Sequence, residues 1–475
     1  MNHHEEDTNI QNMVQDISRT LNGISNATAK RKDLYHLSAR MSNPTETRGP
    51  FAPIIVSIGC RDGYTSHMEE HKWGYMKSLL SRTPGPTNLT ATAGTQENFL
   101  LNAFVVVIRG LQNDLDLWFA DYNVRVSRII EHLLVDGCFI LELMIRYYTV
   151  FKLHQRSDYQ DHPLFKSAED QNEDPIFKFD WILSAVRTDV ALLENQMPFI
   201  VLQKLFEVIT GRDSNLPHDF LLDLVTHFFQ PVHQQADPPA LVMAPTLHRA
   251  HLLNIILNIF RPTTEPEASA DISSSSNRVY RLQSTPRKTF LQSATSLAQV
   301  GVKLIPGSTG NLLDIQFPGR QGAFEIPPLH ITAWTETYFR NLLAFERCCP
   351  DRKPYVASYL FLMNRLINET DDVRLLERRG ILVNDLGSDK DILDMLKNIG
   401  RQIDVQDQFH YQDICDYVDS SYNTMWNQYK KQLQNEYFRS PWVVVSINAA
   451  VFVMAVTLIQ TIYLILIYYR TSHIG

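Results

Sequence analysis

The sequence predicts a mainly α-helical body with a small β element, an α+β chain in which one C-terminal transmembrane helix follows a large helical globular body. Three observations predict it. Apolar residues recur at helical spacing through most of the stretch from Glu97 to Phe260 and again from Trp334 onward. A single stretch, Leu313 to Ile331, shows the two-residue alternation of strands, broken by a Pro/Gly turn. Finally, Ser440 to Tyr469 contains no charged residue; about 20 apolar residues suffice to cross a hydrocarbon core.

Size and composition narrow the function classes. The chain has 475 residues, 10% aromatic and 20% charged, enough to bury a large core. Its net charge of −8 is mild and no basic face is interleaved with aromatics, so nucleic acid is not an expected partner. Cys60, Cys138, Cys348, Cys349 and Cys415 contain no C-x-x-C pair, which implies neither a disulfide framework nor a zinc ribbon and suits a reducing compartment. Adjacent Cys348 and Cys349 read as one buried residue and one bystander. The N-terminus shows no basic region followed by an apolar stretch, so no signal peptide is expected, and the sequons at Asn26, Asn88 and Asn368 are expected to stay bare.

Taken in order, residues 1–50 form a peripheral segment with a short amphipathic pattern at Ile10, Met13, Val14, Ile17 and Leu21. The family-type globular domain is placed at 51–438. It opens on "PIIVSIG", Pro53 to Gly59, which reads as a compact strand; a helix and then a Pro/Thr/Gly-rich loop from Arg82 to Thr95 follow. "HLLVDGCFILELMIRYY", His132 to Tyr148, is apolar nearly all round and predicts a buried helix; Asp136, Glu142 and Arg146 within it argue against a second span. Pro198 divides the next helical stretch in two, and His248 and His251 sit three apart at the helix after that, as solvated or capping residues. The Pro/Ser/Thr-rich run 261–288 reads as a flexible insertion open to phosphorylation. Leu313, Ile315 and Phe317, a turn over Pro318 to Gly322, and Phe324, Ile326, Leu329 and Ile331 suggest an out-and-back β element. Ser388 caps the helix that Gly400 stops, and a long helix from Tyr411 to Phe438 leads to the anchor at 440–469 and the tail at 470–475.

Within the anchor, Trp442, Tyr468 and Tyr469 fall where an aromatic belt would place them. Lys430, Lys431 and Arg439 precede it and only Arg470 follows, so the positive-inside rule puts the body in the cytosol, with the membrane itself, plasma membrane or endomembrane, left open. Asn448 and Gln460 give weak support for packing against a second copy as a homo-oligomer.

Several stretches together resemble a known family, the plant proteins grouped as domain of unknown function 247: "VSIG" at Val56, "MEEHKWGYMKSLLSR" from Met68, "LLVDGCFILEL" from Leu133, "DWILSAVRTDVALLENQMPFIVLQKLF" from Asp180, "AQVGVKL" from Ala298, "LLDIQF" with "EIPPLHI", "RNLLAFERC" from Arg340, "LVNDLGSDKDI" from Leu382 and "YFRSPWVVVSINAA" from Tyr437. The sequence departs from the family pattern after "VSIG", with "CRDG" in place of a Pro-Tyr-His-His run. The resemblance implies a plant protein with a C-terminal membrane anchor and no established chemistry. Some grass members are linked to self-incompatibility, which implies recognition by binding.

One motif points elsewhere. His67, Glu70 and His71 spell H-x-x-E-H, and on a helix His67 and His71 share a face that can hold zinc with Glu70 beside the bound water. This supports a rival reading, a membrane-tethered metal-dependent hydrolase. Against it, Glu131, His132 and Glu142 supply no recognised third ligand. Ser66 and Glu69 also read as a capping box for a helix whose first turn favours Glu69 and Glu70, with Met68, Tyr75, Met76 and Leu79 as its apolar stripe. The sequence therefore predicts no catalytic, cofactor-binding or metal residue. It predicts a single-pass membrane protein whose partners are the bilayer and a protein of unknown identity.

Overall fold

The computed structural model describes residues 2–24, 49–59, 68–83, 93–118, 126–153, 159, 162–165, 174–211, 216–217, 219–233, 250–262, 292–309, 311–317, 323–349, 352–401, 403, 409–437 and 441–472. Among these the chain forms seventeen α-helices and four short strands.

The first group of helices is α1 (Asn2–Gly23), α2 (Glu69–Arg82), α3 (Ala93–Gly110), α4 (Gln112–Trp118), α5 (Val126–Phe151), α6 (Pro175–Lys178), α7 (Asp180–Val190), α8 (Phe199–Thr210), α9 (Phe220–His233) and α10 (Leu252–Ile259). Helix α5 is the axis of this group, packing against α2, α3, α8 and α9. Its buried face explains the all-round apolar sequence, with Leu133, Leu134, Cys138, Phe139, Met144 and Tyr148 fully enclosed. The amphipathic pattern near the N-terminus becomes α1, which buries Val14, Ile17 and Leu21 against α2 and α3.

The second group contains α11 (Ala294–Gln299), α12 (Thr335–Arg347), α13 (Tyr355–Leu366), α14 (Thr370–Arg378), α15 (Asp389–Gly400) and α16 (Gln412–Tyr437) with all four strands. Helix α10 joins the groups by touching both α9 and α12. The C-terminal α17 (Pro441–Ser472) completes the chain.

The β element differs from the predicted out-and-back hairpin. Strand β1 (Lys303–Pro306) pairs in parallel with β2 (Ala323–Ile326), and β3 (Leu329–Ile331) pairs in parallel with β4 (Leu382–Asn384). Only one antiparallel bridge, Gln316 to Glu325, remains of the expected pairing. Pro327 and Pro328 follow β2 and donate no N–H, so the returning run is split into two strands that find different partners.

"PIIVSIG" is not a strand either; its backbone hydrogen bonds run to side chains, as described below. The expected insertion at 261–288 lies outside the described residues beyond position 262, and the Pro318–Gly322 turn, Asn26 and Asn88 also lie outside them. Asn368 is exposed, and its side-chain oxygen accepts from Lys397 Nζ at 3.0 Å. Helix α15 runs from Asp389 to Gly400 as anticipated, with Ser388 at its N-cap but without a side-chain capping bond. Cys348 is exposed, and Cys349 is partly buried against the core.

Candidate functional site

Charged side chains buried between helices must be paired or they cost several kcal/mol each. On α2 the apolar stripe Met68, Tyr75, Met76 and Leu79 has a gap at position 72, filled by a lysine that is 3% exposed. Its ammonium donates to Asp136 Oδ1 of α5 at 2.7 Å, to Glu69 Oε1 at 2.9 Å and to the Ser57 carbonyl at 2.6 Å. Burial works against the charge on Lys72, but Asp136 and Glu69 outweigh it and hold its pKa above the ordinary lysine value. Burial also lifts the Asp136 carboxyl, against the pull of Lys72 and of the Gly59 N–H.

Further along the same face, Tyr75 and Arg82 enter a second network. Arg82 pairs with Glu142, which also accepts from Arg146 Nε at 2.6 Å. Arg146 donates on to Asp174 Oδ2 at 2.7 Å and lies 4.2 Å over the Tyr75 ring, while the Tyr75 hydroxyl donates to the same carboxylate oxygen at 2.6 Å. Asp174 meanwhile caps α6 through the Ile176 N–H at 3.0 Å. The charges that disqualify α5 as a membrane span are therefore neutralised by residues of α2 and by the cap of α6.

The "PIIVSIG" segment is held in place by this framework. The N–H of Ile54 donates to Asp189 Oδ1 at 2.9 Å, and those of Ile55 and Val56 donate to Asp189 Oδ2 at 2.6 and 2.8 Å. Ile58 N–H donates to Asn195 Oδ1 at 2.6 Å, Asn195 Nδ2 returns a bond to the Val56 carbonyl at 2.9 Å, and Gly59 N–H donates to Asp136 Oδ2 at 2.8 Å. Just upstream, Asn341 Nδ2 of α12 donates to the Pro50 carbonyl at 3.0 Å while its oxygen accepts from Leu193 N–H at 2.8 Å. A segment with a strand-like sequence is thus satisfied one residue at a time by helix side chains, which is why it needs no neighbouring strand. Burial pushes the Asp189 carboxyl up to about 7, against the pull of its three N–H donors. Gly59 closes the segment at φ +81°, a conformation glycine adopts without strain.

The H-x-x-E-H motif falls at the edge of this assembly. His67 and Ser66 lie outside the described residues; Glu70 is exposed and His71 is partly buried. Helix α2 begins at Glu69 with Met68 at the N-cap and no side-chain capping bond, and Glu69 pairs with Lys72; the Ser66 half of the expected capping box lies outside the described residues. Among the described residues no three His, Cys, Asp or Glu side chains gather in a way that could hold a metal. His251 is the N-cap of α10 rather than a residue within it, and His248 lies outside the described residues. Its ring instead caps α10, accepting from Asn254 N–H at 3.3 Å, and packs 4.6 Å from the Phe345 ring. Burial, helped by Arg352, lowers its pKa to about 4, so it serves as a neutral cap.

At the far end of the chain, α17 has a different environment. Its window Asn448–Ile467, 20 residues, is long and apolar enough to cross a membrane, and none of it is buried by the rest of the protein. Phe452, Met454, Leu464 and Leu466 are all more than 60% exposed.

The fold thus defines a helical scaffold with a side-chain-clamped N-terminal segment, followed by one exposed apolar helix of membrane-spanning length. The family described as a plant protein of unknown function, domain of unknown function 247, matches residues 35–456, and the chain belongs to that family. It is similar to the UPF0481 protein At3g47200 of Arabidopsis thaliana, 24% identical over 441 residues that cover 88% of this chain and 83% of the relative. A second UPF0481 protein of the same plant, At3g02645, is 26% identical over 170 residues, 36% of this chain and 32% of that protein. No solved structure matches the chain.

Lys72, Asp189 and Asn195 are the clamping positions that reading the sequence missed. The signal for Lys72 was present as a charge inside an apolar stripe at helical spacing. Asp189 and Asn195 gave no such signal, because their partners lie more than 130 residues away.

Proposed function

We infer that this protein is a single-pass membrane protein whose helical body faces the cytosol and works by binding other proteins at the membrane surface. The observation that carries the reading is α17, whose membrane-length apolar window is not buried by any of the described residues. At about 1.5 Å per residue its 20-residue window spans about 30 Å, the thickness of a hydrocarbon core. Left in water, such a face would be an aggregation site; lipid removes that cost. A binding role for the body is supported by the way its buried ions are spent: Lys72, Asp136, Glu142, Arg146, Asp174 and Asp189 each hold an element or a backbone segment in place. That arrangement suits a rigid platform, and confinement to a membrane plane raises the effective concentration of a partner enough for weak contacts to signal.

Carbonate extraction of vesicles at alkaline pH tests the anchor. The full chain should stay with the membrane pellet and a chain ending at residue 438 should be released. Release of the full chain overturns the membrane reading. Protease treatment of sealed vesicles tests orientation: an N-terminal tag digested from the cytosolic side agrees with the excess of Lys430, Lys431 and Arg439 before the span, and protection reverses it.

A further inference from the structure

A buried arginine normally meets a carboxylate, since an uncompensated internal charge is costly. Arg187 of α7 is an exception. It is 6% exposed, its Nε donates to the Phe228 carbonyl at 2.7 Å, and its guanidinium lies 5.2 Å from the Tyr147 ring centre and 5.1 Å from that of Phe228. Among the described residues no acidic side chain lies within ion-pair distance of it, and its two terminal nitrogens have no hydrogen-bond partner. Burial accordingly lowers its pKa, only partly offset by Tyr147 and Tyr338.

The same guanidinium lines a cavity of about 120 Å³ bounded by α7, β3 and the start of α12. Tyr338 lines it too, and its hydroxyl, although buried, has no hydrogen-bond partner. An orphaned hydroxyl of this kind costs about 1–3 kcal/mol, and it belongs to a residue that lines the same space as Arg187. Leu329, Trp334 and Phe339 give the cavity an apolar wall, and Thr188 lies beside Arg187 on it. The first turn of α12, a 13-residue helix, also borders the space, where the helix dipole favours negative charge.

We propose that this cavity binds a small organic carboxylate, its two oxygens taken by the terminal nitrogens of Arg187 and the hydroxyl of Tyr338, and its apolar body set against Leu329, Trp334 and Phe339. A guanidinium fork matches a carboxylate in both charge and geometry. Inorganic phosphate fits less well: one cation would face up to two negative charges, and the apolar wall would leave phosphate oxygens unpaired. At about 120 Å³ the cavity is smaller than the cavity of about 150 Å³ that holds a benzene ring, and it is partly open, so it takes the carboxylate and the nearer part of the apolar body and leaves the rest at its mouth. The site is independent of the membrane anchor.

The test uses the full-length protein in detergent micelles, with benzoate and hexanoate as probes, benzyl alcohol as an uncharged match for benzoate, and inorganic phosphate as the competing anion. Titration calorimetry should show saturable binding of at least one carboxylate, at least tenfold tighter than benzyl alcohol and phosphate. Tyr338→Phe removes a hydroxyl that has no partner in the fold, so the melting temperature without ligand should hold or rise while carboxylate affinity falls about five- to tenfold. Arg187→Gln should abolish carboxylate binding; any loss of fold in that variant shows in its melting curve, and Tyr338→Phe then carries the decision. The proposal is overturned if neither carboxylate binds, if benzyl alcohol or phosphate binds as tightly, or if Tyr338→Phe leaves affinity unchanged.

Discussion

Replacing Asp189 with asparagine asks whether side chains do the work of a missing strand. The carboxylate accepts three backbone N–H groups, those of Ile54, Ile55 and Val56, the last two fully buried. Asparagine keeps the shape but has one acceptor oxygen, so its amide group must face at least one of these donors. In the better orientation the oxygen keeps Ile55 and Val56, and the Ile54 bond is lost. Hydrogen bonds to a charged group contribute about 1.5–3 kcal/mol against about 0.5–1.5 for neutral ones, so one loss and two weakened bonds sum to about 3.5–6 kcal/mol. If the segment opens locally, that is a rise of at least about three hundredfold in amide exchange. Hydrogen exchange read by mass spectrometry at pH 8, above the Asp189 pKa of about 7, should show this rise in peptides covering 53–59. Peptides of α13, in the other helix group, should be unchanged. A change below threefold, or an equal change in α13, refutes the clamp as a local device.

Two further outcomes follow from the same network. Lys72→Met leaves Asp136 buried without its cation and should lower stability by about 3–5 kcal/mol, whereas adding Asp136→Leu should restore much of the loss, because an apolar pair replaces a buried ion pair at little cost; thermal melts of the two variants decide it, and failure of the second substitution to recover any stability counts against the pairing. The pH dependence rests on Asp189 and Glu346, both raised to about 7 by burial, Glu346 against the Ala357 and Val356 N–H donors of α13. A carboxyl raised on folding binds its proton in the native state first, so its contribution is present at low pH and is lost as pH rises through about 7. The melting temperature should therefore rise as pH falls from 8 to 6.5. Below 6.5 the gain should continue toward the ordinary carboxyl range, offset in part by His251, which, lowered to about 4, favours the folded state above 6.5 and loses that contribution as pH falls. Glu346→Gln should flatten the rise between pH 8 and 6.5; an unflattened profile rules out the assignment.

What could be read from the sequence depended on how far apart the interacting residues lie. Helix α5, the division at Pro198, the stop at Gly400 and the apolar run of α17 were all legible, because a helix is specified by neighbours three and four residues away and a span by its local composition. The strand reading of "PIIVSIG" misjudged the partner. Its β-branched residues Ile55, Val56 and Ile58 are buried, but the chain bends at Ile54 and Ile55, and Asp136, Asp189 and Asn195 take the hydrogen bonds that a neighbouring strand would have taken. The H-x-x-E-H spacing was equally visible, yet spacing alone places ligands on one face and does not say what that face meets.

The sequence by itself determined the helical class, the order of most elements and the exposed apolar helix at the end, all properties of short windows. Tertiary structure decided which charges would be buried and with whom: Lys72 with Asp136 across 64 residues, Asp189 with Ile55 across 134, and Arg187 on the same cavity as Tyr338 with no ion pair among the described residues. It also decided that β3 pairs with β4 rather than with its neighbour in sequence. The physical reason is that the worth of a buried ion is set by the side chains that replace water around it, and those arrive from distant parts of the chain only when the helices have packed.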